Sequence, residues 1–235
     1  MDKTLTAYDV SDHYDDAYFA DLSARYRTRN RFARQRIANV FSLLPELRDQ
    51  SFLDVGCGMG TFSLEAAKRG ARAVGLDLAA AGIKAAKRVA KDENVETASF
   101  ILSDAARLPL RTGSTDVVVA ADFTEHLDDD TLGRVLQEIS RVTRTGGTFV
   151  IYTPEASHVF ERLRDKGILL EQEPSHIGIR SAGELGAFTE KYGFKVERIS
   201  YLPSHLPGWN ILERAFWRWI PLLRRRIGLV ARRVA

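Results

Sequence analysis

Phe52-Leu53-Asp54-Val55-Gly56-Cys57-Gly58-Met59-Gly60 decides how this chain is read: an apolar strand runs into spaced glycines, and a helical pattern opens behind them at Thr61. Glycines let a backbone turn tightly and let a ligand approach where no Cβ stands, and a helix start offers unpaired N–H groups. In an open parallel sheet such a turn lies at the carboxyl ends of the strands, where ligands bind. The plain alternative is a tight strand-to-helix turn with no ligand. Spacing narrows the ligand. A dinucleotide fingerprint needs a glycine at position 61, where Thr61 stands, and no Gly-Lys-Ser/Thr of a phosphate loop follows. Acidic Asp54 before the glycines suits a cationic amino-acid ligand better than a pyrophosphate.

Outward from that turn, short β-branched runs alternate with helical patterns. Strands are predicted at 51–55, 73–76, 98–102, 116–120, 148–152 and 195–200, and helices at 61–69, 79–91, 129–143 and 181–192. Nearly unbroken apolar strands such as Val117-Val118-Val119-Ala120 imply a mostly parallel sheet covered on both faces, a doubly wound α/β core. Residues 1–50 read as an N-terminal helical cap, 51–202 as the α/β core and 203–235 as a basic amphipathic tail. In the tail, Leu212, Phe216, Trp219, Leu223, Ile227 and Val230 recur at helical spacing, with Arg214, Arg218, Arg225 and Arg232 roughly opposite. Pro221 should start a second helix there or kink a single one.

Two more acids stand where an α/β crevice would use them. Asp77 ends the second strand, where an acid can accept both hydroxyls of a ribose. Asp104 follows the third, placed to accept from an exocyclic amine such as that of adenine. Each alone reads as a helix cap or a solvated loop residue. Three at successive strand ends beside a glycine turn read as a ligand site.

Composition removes other classes. A chain of 235 residues with 45% apolar and 28% charged residues is neither collagen-like nor wholly disordered. Cys57 is the single cysteine, so no intrachain disulfide can form and a reducing compartment is expected. Residues 1–10 carry Asp2 and Asp9 and no apolar stretch, which argues against a secretory signal, and no uncharged apolar run approaches the roughly 18–20 residues of a membrane span. The net charge of +3 hides an asymmetry: residues 205–235 hold seven arginines against Glu213 alone.

Together these residues resemble the class I S-adenosylmethionine-dependent methyltransferases, in particular the small-molecule branch that includes quinone-biosynthesis O-methyltransferases. The resemblance covers about residues 50–200. It implies a seven-stranded sheet in which Gly56, Gly58 and Gly60 pass along the methionine portion of S-adenosylmethionine, Asp77 holds the ribose hydroxyls, and Asp104 with the backbone of Ala105 flanks the adenine. Asp54, Cys57 and Leu78 belong to the same expected cofactor set. The family's last, antiparallel strand is not evident; residues 203–208 and the arginine-rich tail stand in its place.

The resemblance puts the cofactor's methyl end beside the loop after the fourth strand, Ala121-Asp122-Phe123-Thr124-Glu125-His126-Leu127. Asp122, Glu125 and His126 are the expected catalytic residues. In metal-assisted O-methyltransferases of quinone biosynthesis and in small-RNA 2′-O-methyltransferases, a similar Glu-x-x-Glu-His set binds a divalent ion; here Asp122 replaces the first Glu, and His176 is a further candidate ligand. The reading preferred is metal-free, with Glu125 and His126 shaping the pocket and His126 as base. Tyr14, Tyr18 and Tyr26 of the cap either line a substrate pocket or pack helices, and the periodicity favours packing.

The tail has three readings: a helix packed on the core, an in-plane anchor on an anionic membrane, or, weaker, a nucleic-acid contact. The expected function is methyl transfer to an oxygen, before carbon or nitrogen, of a small, quinone-like or lipidic acceptor, in the cytoplasm or peripherally at the inner face of the membrane. An RNA methyltransferase and a cofactor-binding regulatory protein without turnover are the alternatives.

Overall fold

The computed structural model describes residues 15–165, 167 and 175–234. Residues 1–10, Tyr14 and part of the stretch between Pro154 and Arg180 lie outside them. The elements run α1 (Asp16–Arg27), α2 (Arg31–Phe41), β1 (Ser51–Val55), α3 (Thr61–Ala67), β2 (Arg72–Asp77), α4 (Ala80–Asp92), β3 (Ala98–Leu102) and β4 (Thr115–Ala121). Then follow a 3₁₀ turn (Thr124–His126), α5 (Asp129–Val142), β5 (Thr143–Pro154), α6 (Val159–Asp165), α7 (Ala182–Lys191), β6 (Phe194–Leu202), α8 (Trp209–Phe216), a second 3₁₀ turn (Pro221–Leu223) and β7 (Arg226–Arg233).

The seven strands form one sheet in the order β3-β2-β1-β4-β5-β7-β6, parallel except for β7, which runs antiparallel to both neighbours. The doubly wound core expected from the alternation is present. Its strands are buried on both faces because helices cover both. Leu53, Val118, Phe149, Ile151 and Leu229 pack one face against Leu132, Leu136, Ile139 and Leu185 of α5 and α7. Phe52, Val117, Val119 and Val150 pack the other against Val40, Phe62 and Ala66 of α2 and α3. The helices start where their sequences provide caps: Asp15, Asn30 and Asp128 accept from the first-turn N–H groups of α1, α2 and α5, and Ser181 with Glu184 forms a capping box on α7.

The tail corrects the expectation of a C-terminal amphipathic helix. Only Trp209–Phe216 is α-helical, while Arg226–Arg233 is the antiparallel strand that the sequence pattern left unassigned, inserted between β5 and β6. Ile227, Gly228, Leu229, Val230 and Ala231 are all buried. An interior strand covered on both faces reads as a continuous apolar run, and such a run does not tell strand from helix by its period. A Cβ at Gly228 would lie 2.8 Å from Leu43 Cδ1. A boundary at residue 203 therefore does not separate the tail from the core. Its charge is largely internal: Arg225 pairs with buried Glu161, Arg226 with Asp122, Arg232 with Glu197, and Arg233 donates to the carbonyls of Ser140 and Gly193.

Candidate active site

The chain leaves β1 toward β2 and β3 on one side and returns to β4 and β5 on the other, so the loops after β1 and β4 part and open a crevice between them. A cavity of about 560 Å³ fills it. The β1 loop (Gly56, Cys57, Gly58, Met59), Asp77 and Leu78 after β2, and Asp104 and Ala105 after β3 line one side. Asp122, Phe123, Glu125 and His126 after β4 line the other, with His176 and Arg226 beside them. Tyr18, Phe19 and Leu22 of α1 and Phe32 and Arg36 of α2 line the remaining wall. Ten of the twelve sequence-predicted cofactor and catalytic residues line this cavity; Asp54 and Gly60 do not.

Those two residues shape the loop from behind. Asp54 is 1% exposed and accepts from the backbone N–H and the hydroxyl of Ser63 (3.0 and 2.8 Å), tying the end of β1 to α3. Burial pushes its carboxyl up to about 6, against the lowering effect of the two Ser63 bonds, and the nearby Asp77 charge adds to the rise. Gly60 stands at φ +80°, and a Cβ there would lie 2.5 Å from the Phe100 ring. Asp77 accepts from Gly58 N–H (2.7 Å) and Ala79 N–H (2.8 Å), so it braces the glycine loop while lining the cavity. Burial raises its pKa against those backbone bonds. Asp104 accepts from Ala106 N–H at 2.8 Å. Burial likewise raises the Cys57 thiol well above its usual range.

On the β4 side, Asp122 sits at φ +52° and its carboxylate is held between two arginines. Arg36 donates from Nε (2.8 Å) and pairs through Nη2 (2.5 Å), while Arg226 donates from Nη1 (2.6 Å). Burial alone would raise its pKa; the charges of Arg36 and Arg226 outweigh burial and lower it. Glu125, 1% exposed, accepts from the Thr153 hydroxyl at 2.8 Å and lies 4.0 Å from Arg226 Nη1. Burial, reinforced by the Asp122 charge, raises its pKa. The His126 ring nitrogen Nδ1 is 2.8 Å from the Ser175 carbonyl oxygen. A carbonyl only accepts, so the proton is assigned to Nδ1 and the basic lone pair to Nε2.

His176 joins His126 edge-on, with ring centroids 5.1 Å apart. Buried Arg180 brings the two together: it donates to the carbonyls of Thr124, Leu127 and Gly178 and pairs with Asp129, locking the 175–180 loop onto the β4 loop. Glu125, His126 and His176 place candidate ligand atoms within 4.8 Å of one another, a donor set that a divalent cation can use. Asp122, the fourth member of the expected set, is engaged by Arg36 and Arg226 instead. Of the cap tyrosines, Tyr18 lines the cavity, whereas Tyr26 is buried and donates to Glu65 at 2.9 Å. The sequence reading missed Arg36, Arg180, Arg226 and Phe19, which lie in no motif and reach the site only through the fold, and it assigned no role to Phe123 inside the quoted 121–127 loop.

Residues 53–151 match the family described as a methyltransferase domain. Norajmaline N-methyltransferase from Rauvolfia serpentina is 30% identical over 142 residues, 59% of this chain and 48% of that protein. A probable chloroplastic tocopherol O-methyltransferase from Oryza sativa subsp. japonica is 29% identical over 145 residues, 60% of this chain and 39% of that protein. The chain thus spans about half or less of these curated relatives. Among solved structures, geranyl diphosphate C-methyltransferase from Streptomyces coelicolor A3(2), in complex with Mg2+, geranyl diphosphate and S-adenosyl-L-homocysteine, superposes with a TM-score of 0.66 at 19% identity. That match covers 85% of this chain and 77% of the other. Strand order, glycine turn and family match agree: residues 53–151 carry a methyltransferase domain.

Proposed function

We propose that the chain transfers a methyl group from S-adenosylmethionine to an oxygen of a small, apolar acceptor, with His126 as the base. One observation carries this reading: the β1 glycine loop, Asp77, and Asp104 with Ala105, from the ends of three adjacent strands, face His126 across one cavity. Asp77 would hold the ribose hydroxyls, Asp104 and Ala105 the adenine, and the backbone of Gly56 to Gly58 the methionine portion. Asp54 and Gly60 act from behind by holding that loop in place. S-adenosylmethionine, when bound, supplies a methyl made electrophilic by its sulfonium.

This chain's residues then orient the acceptor, exclude water and receive its proton. Nε2 of His126 takes the proton, while Ser175 holds Nδ1–H and so keeps the tautomer. Glu125 positions the loop through Thr153. Tyr18, Phe19 and Phe32 from the cap close the apolar side. If a divalent ion were bound, Glu125, His126 and His176 would hold it and it would supply Lewis-acid activation of an acceptor oxygen. The metal-free reading is supported by Arg226, which already provides a cation 4.0 Å from Glu125.

Among the described residues no helix is long and apolar enough to cross a membrane. A peripheral contact at an anionic inner membrane surface is supported by Ile211, Leu212, Phe216, Trp219, Ile220 and Leu222, all exposed within residues 211–222 and flanked by Arg214, Arg218 and Arg224. A cytoplasmic location suits the single thiol.

The cofactor reading is tested by calorimetry with S-adenosylhomocysteine. Binding in the micromolar range is expected for the wild-type chain, weakened by at least about tenfold in Asp77→Ala, on the scale of lost hydrogen bonds to a charged group. A wild-type chain that binds a nicotinamide dinucleotide but not S-adenosylhomocysteine would overturn it.

A further inference from the structure

The wall of the cavity around Asp122 holds a charge arrangement that positioning a methyl donor does not require. Arg36 and Arg226 both line the cavity, and both approach a single carboxylate, Asp122, from opposite oxygens. Among the described residues, the hydrogen bonds and ion pairs of these two side chains run to Asp122, with Glu125 at the 4.0 Å limit from Arg226. Glu125 accepts from Thr153 and reaches Arg226 only at 4.0 Å. Two guanidiniums that line the cavity therefore share one close carboxylate, which engages Nε and Nη2 of Arg36 and Nη1 of Arg226 and leaves their other N–H donors without a protein acceptor among the described residues.

Aromatic and basic side chains flank the pair, with Arg25 already ion-paired to Asp21 at 2.7 Å. Arg25 and Arg36 lie 5.6 and 5.3 Å from the centre of the Phe32 ring, and His205 meets that ring edge-on at 5.0 Å. Burial, joined by the charges of Arg225, Arg226, Arg31 and Arg25, holds His205 below its usual range. Apolar surface lies beside the two guanidiniums: Phe32, Phe62 and Phe123 line the same cavity. An apolar wall beside paired guanidiniums matches a molecule with a flat apolar body and one anionic end. The planar fork of arginine fits a carboxylate through two parallel bonds, and lysine would not reproduce that geometry.

We propose that Arg36 and Arg226 form an anion subsite that selects acceptors carrying a carboxylate or an equivalent oxyanion on an aromatic or other apolar body. Asp122 then partly neutralises the two guanidiniums and competes with an entering anion for them. The proposal rests on the reading of this cavity as the site of a methyl donor and its acceptor.

The test uses the full chain saturated with S-adenosylhomocysteine and titrated calorimetrically with 2-naphthoate and its uncharged partner 2-naphthamide. The acid is expected to bind at least about tenfold more tightly than the amide, as charge-assisted hydrogen bonds do over neutral ones. Arg36→Gln and Arg226→Gln should each remove most of that preference while the affinity for S-adenosylhomocysteine, read in the same samples, reports an intact fold. Asp122→Asn should act in the opposite sense: it withdraws the internal acid, leaves both cations in place and strengthens acid binding. Equal binding of acid and amide, binding of neither, or weaker acid binding in Asp122→Asn with the S-adenosylhomocysteine affinity retained would overturn the subsite. Failure of the wild-type chain to bind S-adenosylhomocysteine would count against the cofactor reading instead, and the acid-over-amide comparison on the unliganded chain would still decide the subsite.

Discussion

Replacing Asp54 with asparagine should stabilise the protein at neutral pH and leave its stability nearly unchanged near pH 4. The Asp54 carboxyl is buried behind the glycine loop, where it accepts two bonds from Ser63. Burial overcomes those bonds and lifts its pKa from 3.8 to about 6. A folded-state pKa above the unfolded one means that the native state holds the extra proton across that interval. Stability is therefore full below pH 4, falls as pH rises through about 6, and is flat above it. A rise of roughly two units corresponds to about 3 kcal/mol at 1.36 kcal/mol per unit. Asparagine keeps a carbonyl oxygen for Ser63 and carries no charge at any pH. In a domain of this size the difference in melting temperature should grow from near zero at pH 4 to roughly 6–12 °C at pH 7.5. Thermal or urea unfolding of both proteins between pH 4 and pH 8 measures it. Asp77 and Glu125 also have raised values, but they titrate in both proteins and largely cancel in the comparison. A stability difference that is constant with pH, or that widens toward acid, would refute the reasoning.

The glycines of the turn should not be equivalent. Gly60→Ala forces a Cβ to 2.5 Å from Phe100 at φ +80°, and Gly56→Ala overlaps the Phe123 ring, whereas a Cβ at Gly58 meets only Phe19 Cε1 at 3.2 Å. The free energy of unfolding should therefore drop by about 1–3 kcal/mol for the first two, the range for overpacking, and by less for Gly58→Ala, as read by urea unfolding. The membrane contact should be tested by substitution, not truncation: deleting residues 205–235 removes β7 from between β5 and β6 and should leave no folded chain. Ile211→Ser with Trp219→Ser, at positions 67% and 74% exposed, should abolish co-sedimentation with anionic vesicles at an unchanged melting temperature. Equal sedimentation of variant and wild type would remove that contact.

Much of the site was legible because its determinants are local. Strand, glycines and helix start occupy one short stretch, and Asp77 and Asp104 each end or follow a strand whose apolar run is visible in the sequence. The site residues that the structure adds come from far along the chain. Arg36 meets Asp122 across 86 positions and Arg226 meets it across 104, so the Asp122 that reads as a catalytic acid is in the fold the clamp between two guanidiniums. His176 reaches His126 because Arg180, more than 50 positions from Thr124, Leu127 and Asp129, anchors the intervening loop.

The amino-acid sequence alone determined the α/β alternation, the ligand-bearing turn and the acids at its strand ends, since side-chain period and turn chemistry act over a few residues. Tertiary structure alone decided that Arg226–Arg233 is a strand and which charges face which. A run that is apolar at every position has no period to distinguish helix from strand, and only the vacancy between β5 and β6, with Leu43 pressed on Gly228, selects the extended form. The same holds for charge: an arginine's partner is set by which segments the sheet order brings together, and no local pattern encodes that distance.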